Sequence, residues 1–436
     1  MVAISCAIVN TFLIFIYLAW KKDIFHPVVI LNAMWLFVHF LNFLLGWDSN
    51  EVVYFILILP SLMFSIGFCI AESMGFSNRT KKVLRVNCDC GDQDNIKVKH
   101  KFVDFILIIV TVAFLMYAYA FISRMGQYIG LNPWYILRLI TWEHGVNENV
   151  FFKYASTPAF LLPSVLLVIA QKSKQKKDYL KFSWSLFMAL VWSILRTSRT
   201  STFMVVILLV MSQILMMGNK MASYQNKRIV HLMKRKRRKV FIFAVAFIMG
   251  VFLIVASQKS AGVYGDVSKF EFYLRSIANY TNLSSVGFVE WYKSGVEYTG
   301  GLNSFRFVYA VLSKLGLNSK DVVANSGGLF IEFEGMTTNA FTVARAYVED
   351  FGVGFMAFMM AVFGIIHGAI YKRACMATGI MKIRFALINA MLDIPLFFQI
   401  LTNQYLNVLS GWIQYVIWIC VFTGGWVLYQ TKTERS

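Results

Sequence analysis

Runs of about twenty predominantly apolar residues recur along the chain, and at 1.5 Å of helical rise per residue each can cross about 30 Å of hydrocarbon. They fall near 2–20, 28–46, 52–71, 102–123, 154–171, 182–196, 202–217, 240–256, 352–371, 385–402 and 411–429, which makes about eleven candidate spans. Of 436 residues, 58% are hydrophobic and 15% are charged, too few to clothe a soluble core. In lipid the backbone must satisfy its own polar groups, so only helices or closed barrels remain, and a barrel needs alternating segments of about ten residues. The run 203–217 does not alternate. The expected fold is therefore an all-α polytopic integral membrane protein, with a large outward-facing loop before the ninth helix.

Charge sets how the helices are threaded. Lys and Arg number 42 against 22 Asp and Glu, a formal net charge of +20. Most basic residues sit in alternate connections: Lys21 and Lys22, then 79–101, 172–181, 220–239, 372–384 and the carboxy-terminal tail. The opposite set of connections is balanced in sign, so the basic set is expected to be cytoplasmic. The amino terminus then starts outside and the carboxy terminus ends inside, as an odd number of spans requires. The run Lys234-Arg235-Lys236-Arg237-Arg238-Lys239 reads either as a nucleic-acid patch or as a stop signal beside anionic head groups. Its place before an apolar run favours membrane lipid as the partner, and no nucleic acid is expected. No basic stretch precedes the first apolar run, so the first helix is expected to stay rather than be cleaved as a signal peptide.

Locally written chemistry is sparse. Cys6, Cys69, Cys375 and Cys420 lie in or beside apolar runs, and Cys88 with Cys90 and His100 lacks a fourth ligand at metal-site spacing. The six histidines are scattered, with no His-x-x-x-His, no phosphate-binding glycine loop and no paired Cys-x-x-Cys. Neither a metal nor a cofactor is expected.

The chain then divides into 1–256, with eight spans and basic connections; 257–350, the large outer segment; and 351–436, with three spans and a tail. A shorter outer connection at 124–153 carries Pro133, Trp134, Tyr135, Trp142 and His144, aromatic content suited to the head-group level. The large segment reads as folded: an amphipathic stretch near 267–293, a break at Gly300-Gly301, a second helical stretch near 303–315 and a turn at Gly327-Gly328. Alternation around Glu332 and Glu334 predicts a strand with a solvated face. Asp393, Pro395 and Gln399 mark a bend or a pocket wall in the tenth span.

Arg199, Arg275, Arg306 and Arg345 all fall on the outer side at or near helix ends. A guanidinium makes bidentate hydrogen bonds to phosphate oxygens and can neutralise a departing diphosphate. Arg196 and Arg199 share a face if their helix continues, and either bind substrate or snorkel at the boundary. Arg345 is followed by Tyr347, Glu349 and Asp350, just before a helix expected to begin at Phe351 and Gly352.

The run Asn339-Ala340-Phe341-Thr342, continued by Arg345-Ala346-Tyr347-Val348-Glu349-Asp350-Phe351-Gly352, resembles the late outer-loop signature of bacterial O-antigen polymerases. The junction Arg196-Thr197-Ser198-Arg199-Thr200-Ser201 is similar to that family's Ser-Arg-Thr segment, while Ala346 stands where such proteins often carry proline. The resemblance implies a glycosyltransferase of the bacterial inner membrane that joins undecaprenyl-diphosphate-linked oligosaccharide repeats on the periplasmic face. A chain-length regulator protein is a possible partner. On this reading Arg196, Arg199, Arg275 and Arg306 bind diphosphate or glycan. Arg345 and Tyr347 stand at the reacting centre, with Glu349 or Asp350 as base. A lipid-linked oligosaccharide flippase and an O-antigen ligase are the rival readings. A transporter would be expected to show internal repeats and more ionisable residues within its spans than His367 and Asp393.

Overall fold

The computed structural model of the chain describes residues 2–21, 23–47, 52–74, 96–125, 136, 140, 150–196, 199–223, 231–233, 235–240, 242, 281–317, 330–333, 336–338, 340–424 and 428–430. Arg275, the Gly327-Gly328 turn, most of 240–256 and most of the aromatic-rich connection at 124–153 lie outside these residues. In chain order the helices are α1 (Val2–Lys21), α2 (Pro27–Leu44), a 3-10 turn (Val52–Ile58) leading into α3 (Leu59–Ser73), α4 (His100–Met125), α5 (Val150–Ser173), α6 (Lys176–Leu195) and α7 (Arg199–Ser223). They continue with α8 (Leu283–Lys293), α9 (Arg306–Lys314), α10 (Val343–Met376), α11 (Gly379–Phe398) and α12 (Leu409–Thr423). Two antiparallel strand pairs complete the set: β1 (Ile96–Val98) with β4 (Leu428–Gln430), and β2 (Ile331–Phe333) with β3 (Met336–Thr338).

Among the described residues, seven helical segments are long and apolar enough to cross a membrane: Val2–Lys21, Pro27–Leu44, Val53–Ser73, His100–Met125, Phe151–Ser173, Thr200–Met217 and Val343–Met376. The chain is thus all-α, with several membrane-length helices. The expected spans at 182–196, 385–402 and 411–429 also form helices, of a different kind. Helix α6 opens on Lys176, Lys177 and Asp178, α11 carries Lys382, Arg384 and Asp393, and α12 has 15 residues.

The chain packs as two compact units. One comprises Met1–Gly75, Leu253–Ile370 and Leu392–Ser410; the other comprises Phe76–Phe252, Tyr371–Met391 and Gly411–Ser436. The described part of 257–350 falls in the first unit, with α1–α3.

In the first unit, α3 and α10 approach to backbone contact through small residues. A Cβ at Gly67 would stand 2.0 Å from the Ala361 carbonyl oxygen, and one at Gly364 would stand 2.1 Å from that of Phe64. Gly67-x-x-x-Ala71 faces Gly364-x-x-x-Gly368, the small-residue spacing that lets helices meet where lipid supplies no hydrophobic drive for their association. Polar side chains tie the other helices in: Tyr17 donates to the Ser65 carbonyl (3.1 Å) and Asn32 Nδ2 to Ser65 Oγ (3.2 Å).

Helix α8 differs from the amphipathic element expected at 267–293. Leu283 through Val289 and Trp291 are all buried, polar and apolar faces alike. A helix buried all round must bond its polar groups, and this one does. Asn282 Nδ2 donates to the Val38 carbonyl (2.7 Å) and to Asn42 Oδ1 (2.8 Å). Asn42 Nδ2 in turn donates to Tyr54 Oη (2.7 Å) and Ser285 Oγ (2.9 Å), and Ser284 Oγ donates to the Ile400 carbonyl. Trp47 and Val286 pack with Leu41 beside Phe333 of β2. The strand expected near Glu332 is present, with Glu332 exposed.

The second unit holds α4–α7 and α12. Tyr117 and Trp192 meet at a ring separation of 5.4 Å, and Gln171 Nε2 donates to Gln213 Oε1 (2.9 Å). Thr157 Oγ1 donates to Gln414 Oε1 (3.0 Å), Arg384 donates to the side chain and carbonyl of Thr423 (2.9 and 3.0 Å), and Lys181 pairs with Asp104. Helix α6 ends at Leu195 with Arg196 as its cap, and α7 begins at Arg199; residues 197 and 198 between them lie outside the described residues.

Candidate functional site

The ninth span was expected to begin at Phe351 and Gly352; the helix instead begins at Val343 and is interrupted there. Phe351 has φ −148° and Gly352 has φ +85°, the latter a conformation that glycine adopts without a Cβ penalty. At 1.5 Å per residue the 34 residues of α10 would measure about 51 Å if straight, far more than a bilayer core. The break splits off residues 343–350 as a short helix of their own. Arg345, Tyr347, Glu349 and Asp350 consequently stand on helical geometry rather than in a loop.

The turn following α11 fixes this short helix. Val343 N, one of the amide groups without an intrahelical acceptor, donates to the Gln399 carbonyl (2.8 Å). Tyr347 is fully buried, and its hydroxyl donates to Asn403 Oδ1 (3.0 Å), which also accepts from Tyr405 N (3.0 Å). Tyr405 stacks on Phe363 at 4.0 Å, and its hydroxyl lies 3.4 Å from His367 Nε2.

Arg345 is the unusual member. Its side chain is 6% exposed, with the guanidinium carbon 4.0 Å from the Phe341 ring centroid and 5.2 Å from that of Trp291. Two aromatic faces favour a cation there. Among the described residues its one side-chain hydrogen bond is long, from Nη2 to Glu349 Oε1 at 3.4 Å, while Nε and Nη1 are buried with no hydrogen-bond partner there. Buried charged donors left unsatisfied cost several kcal/mol, and such a group in a native fold calls for an explanation. An anion delivered to the site would provide the missing acceptors.

The two adjacent carboxylates differ in what they do. Asp350 is 1% exposed and accepts four hydrogen bonds: Oδ1 from Thr299 Oγ1 (2.5 Å), Asn303 N (3.0 Å) and Asn303 Nδ2 (3.2 Å), and Oδ2 from Ser304 N (2.6 Å). It is committed to holding the 299–304 turn, in which Gly300 and Gly301 have φ +64° and +96°, the break expected from the sequence. Glu349 keeps 16% of its side chain exposed, beside Arg345 and within 3.0 Å of Asn303 Nδ2, its Oε2 accepting. Of the two residues expected as alternatives for the base, Glu349 is the more exposed, and its two oxygens accept from Arg345 and Asn303. Tyr347, expected at the reacting centre, directs its hydroxyl to Asn403.

Arg306 opens α9, two residues beyond Ser304, so the Asp350 anchor also fixes where it enters the fold. Burial lowers its guanidinium pKa from the ordinary arginine value. Arg196 belongs to the second unit, where its Nη1 donates to Ser156 Oγ (2.9 Å). Arg199 begins α7 in that same unit. The structure thus gathers Arg345, Tyr347, Glu349, Asp350 and Arg306 in one unit. Trp291, Asn303 and Asn403 escaped the sequence reading as site residues, whereas Phe341 lies in the quoted run 339–342. Only Asn403, in a polar interruption between two apolar runs, carried a local signal. Among the described residues, no group of three or more His, Cys, Asp or Glu side chains is arranged to hold a metal ion.

Compared with protein-family models, curated proteins and solved structures, the chain matches none.

Proposed function

We propose that the chain is a glycosyltransferase of the bacterial inner membrane that joins undecaprenyl-diphosphate-linked oligosaccharide repeats on the periplasmic face, as an O-antigen polymerase does. The observation that carries this reading is the Arg345 guanidinium: buried between Phe341 and Trp291, short of acceptors at Nε and Nη1, and adjacent to a partly open carboxylate. Those two N–H groups suit the oxygens of a diphosphate, and a fixed cation in a low-dielectric site stabilises charge that develops on a leaving group.

In the reaction, a sugar hydroxyl of one lipid-linked repeat attacks the anomeric carbon of the growing glycan. A new C–O glycosidic bond forms, and the bond from the anomeric carbon to the diphosphate oxygen breaks. The electron pair leaves with undecaprenyl diphosphate, held by Arg345, and the acceptor proton passes to Glu349. Arg306 and Arg275 are further ligands for diphosphate or glycan in this reading. Asp350 and Tyr347 hold the turn and the short helix in place, so the reacting groups need no rearrangement when substrate arrives.

Lipopolysaccharide from a deletion strain of the native bacterium, complemented with the wild-type gene or with variants, tests the proposal on a gel. The expected result is a missing long-chain ladder with the single-repeat band retained. The ladder should return with wild type, stay absent with Arg345→Ala at normal membrane abundance, and return only in part with Arg345→Lys, which lacks the planar fork. Loss of the single-repeat band as well would support the flippase or ligase reading, and full activity of Arg345→Ala would remove Arg345 from the site.

A further inference from the structure

Helix α9 exposes most of its apolar side, the wrong arrangement for a segment bathed in water. Phe307, Val308, Val311, Leu312 and Leu315 fall on one side at helical spacing. Of these, Val308, Val311 and Leu315 are exposed by 47%, 41% and 66%, and no residue of the helix is buried. On the opposite side Arg306, Tyr309 and Ala310 are part-buried, as Leu312 is on the apolar side, while Ser313 is exposed, and Tyr309 Oη donates to the Gly300 carbonyl (3.2 Å). A helix packed on a protein in water buries its apolar stripe and exposes its polar one. Here four of the five apolar side chains are exposed.

The apolar surface also does not end with the helix. Phe305, exposed just before α9, meets Phe351 edge-to-face at 6.4 Å, and Phe351 meets Phe355 at 4.8 Å. Phe351 and Phe358 are both exposed along α10, one of the membrane-length helices. The exposed side of α9 is therefore continuous with the exposed aromatic side chains of a helix long and apolar enough to cross a membrane. Arg306 and Lys314 stand at its two ends, where long basic side chains can reach lipid phosphates while their stems lie on hydrocarbon.

We infer that α9 is an in-plane interfacial helix whose exposed apolar side is seated in the acyl boundary of the bilayer. Asp350 and Asn303 couple it to the short helix bearing Arg345 and Glu349, so the mouth of that site opens at the depth of the lipid head groups. A lipid-linked anion can then enter sideways from the leaflet. The seating of α9 does not depend on the reaction proposed above, because it is read from exposure and continuity alone.

The test uses the full chain in nanodiscs of phosphatidylethanolamine and phosphatidylglycerol, photolabelled with an apolar carbene-forming diazirine and mapped by mass spectrometry. Label is expected on Phe307, Val308, Val311 and Leu315 at the level found for Phe358, with several-fold less on Ser313. Nitroxides placed by Val308→Cys, Leu315→Cys and Ser313→Cys, in a chain with its native cysteines replaced by serine, should give the matching pattern. Positions 308 and 315 should collide preferentially with oxygen, and position 313 with an aqueous nickel chelate. Equal nickel access at all three positions would overturn the inference. So would spin–spin broadening that disappears on dilution with unlabelled protein, which would assign the surface to a second copy of the chain.

Discussion

Replacing Asp350 by alanine separates anchoring from chemistry. The carboxylate accepts from two backbone amides, Asn303 N at 3.0 Å and Ser304 N at 2.6 Å, and from two side-chain donors, Thr299 Oγ1 and Asn303 Nδ2. The side-chain donors can rotate toward other acceptors, whereas the amides are fixed by the turn. Each buried amide left without a partner costs about 1–3 kcal/mol, so the turn should lose about 4 kcal/mol of its local stability. At 1.4 kcal/mol per factor of ten, the amides of Asn303 and Ser304 should exchange with deuterium about a thousand-fold faster. Amides of α3 and of α10 beyond Gly352 should be unchanged. Asp350→Asn keeps one acceptor oxygen and should fall between. Hydrogen exchange by mass spectrometry on the purified chain, read beside the lipopolysaccharide ladder, is the assay. If Asp350→Ala abolished polymer while leaving exchange at 299–305 untouched, Asp350 would be acting in the chemistry, and the assignment of base to Glu349 would be wrong.

Glu349→Gln keeps one acceptor oxygen but removes the charge beside buried Arg345, so it should lower the melting point by the equivalent of about 3–5 kcal/mol and, at matched membrane abundance, abolish polymer; a ladder of normal length would exclude Glu349 as base. Gly364→Leu places side-chain atoms where a Cβ alone already meets the Phe64 carbonyl at 2.1 Å, so monodisperse yield should collapse, whereas Gly354→Leu, with no atom within 4 Å of its Cβ, should purify as wild type. Gly352→Ala forces an L side chain to φ +85° and should lower the melting point by the equivalent of about 1–3 kcal/mol, together with polymer yield; an unchanged melting point would mean that the break between the two parts of α10 does not need that backbone conformation.

How legible the site was follows from the range of the interactions involved. Apolar runs of bilayer length give helices wherever a lipid-like environment leaves the backbone no other partner, which is why α1–α5 and α7 lie close to the runs that suggested them. The break at Gly300 and Gly301 and the strand at Ile331–Phe333 were likewise local, set by glycine torsions and by alternation. The start of α10 was placed too late because Arg345, Glu349 and Asp350 interrupt the apolar pattern, and the Gln399 carbonyl that receives Val343 N is remote in sequence. The stretch 267–293 was expected to be amphipathic, but its described part, α8, is buried on its polar side as well, where Asn42, Val38 and Ile400 are the partners of Ser285, Asn282 and Ser284.

By itself the sequence determined the class of solvent, the helical architecture and the short list of charged residues worth examining, because hydropathy and charge act through the nearest few residues and the bilayer. Only the tertiary structure decided which of two neighbouring carboxylates is buried under four hydrogen bonds and which stays partly exposed. It alone decided that Arg345 lies between two aromatic rings with donors to spare, and that α9 shows its apolar side outward. Each of these depends on groups brought together from distant parts of the chain, and the free energy of a buried charge or an exposed apolar face is set by those neighbours rather than by the residue that carries it.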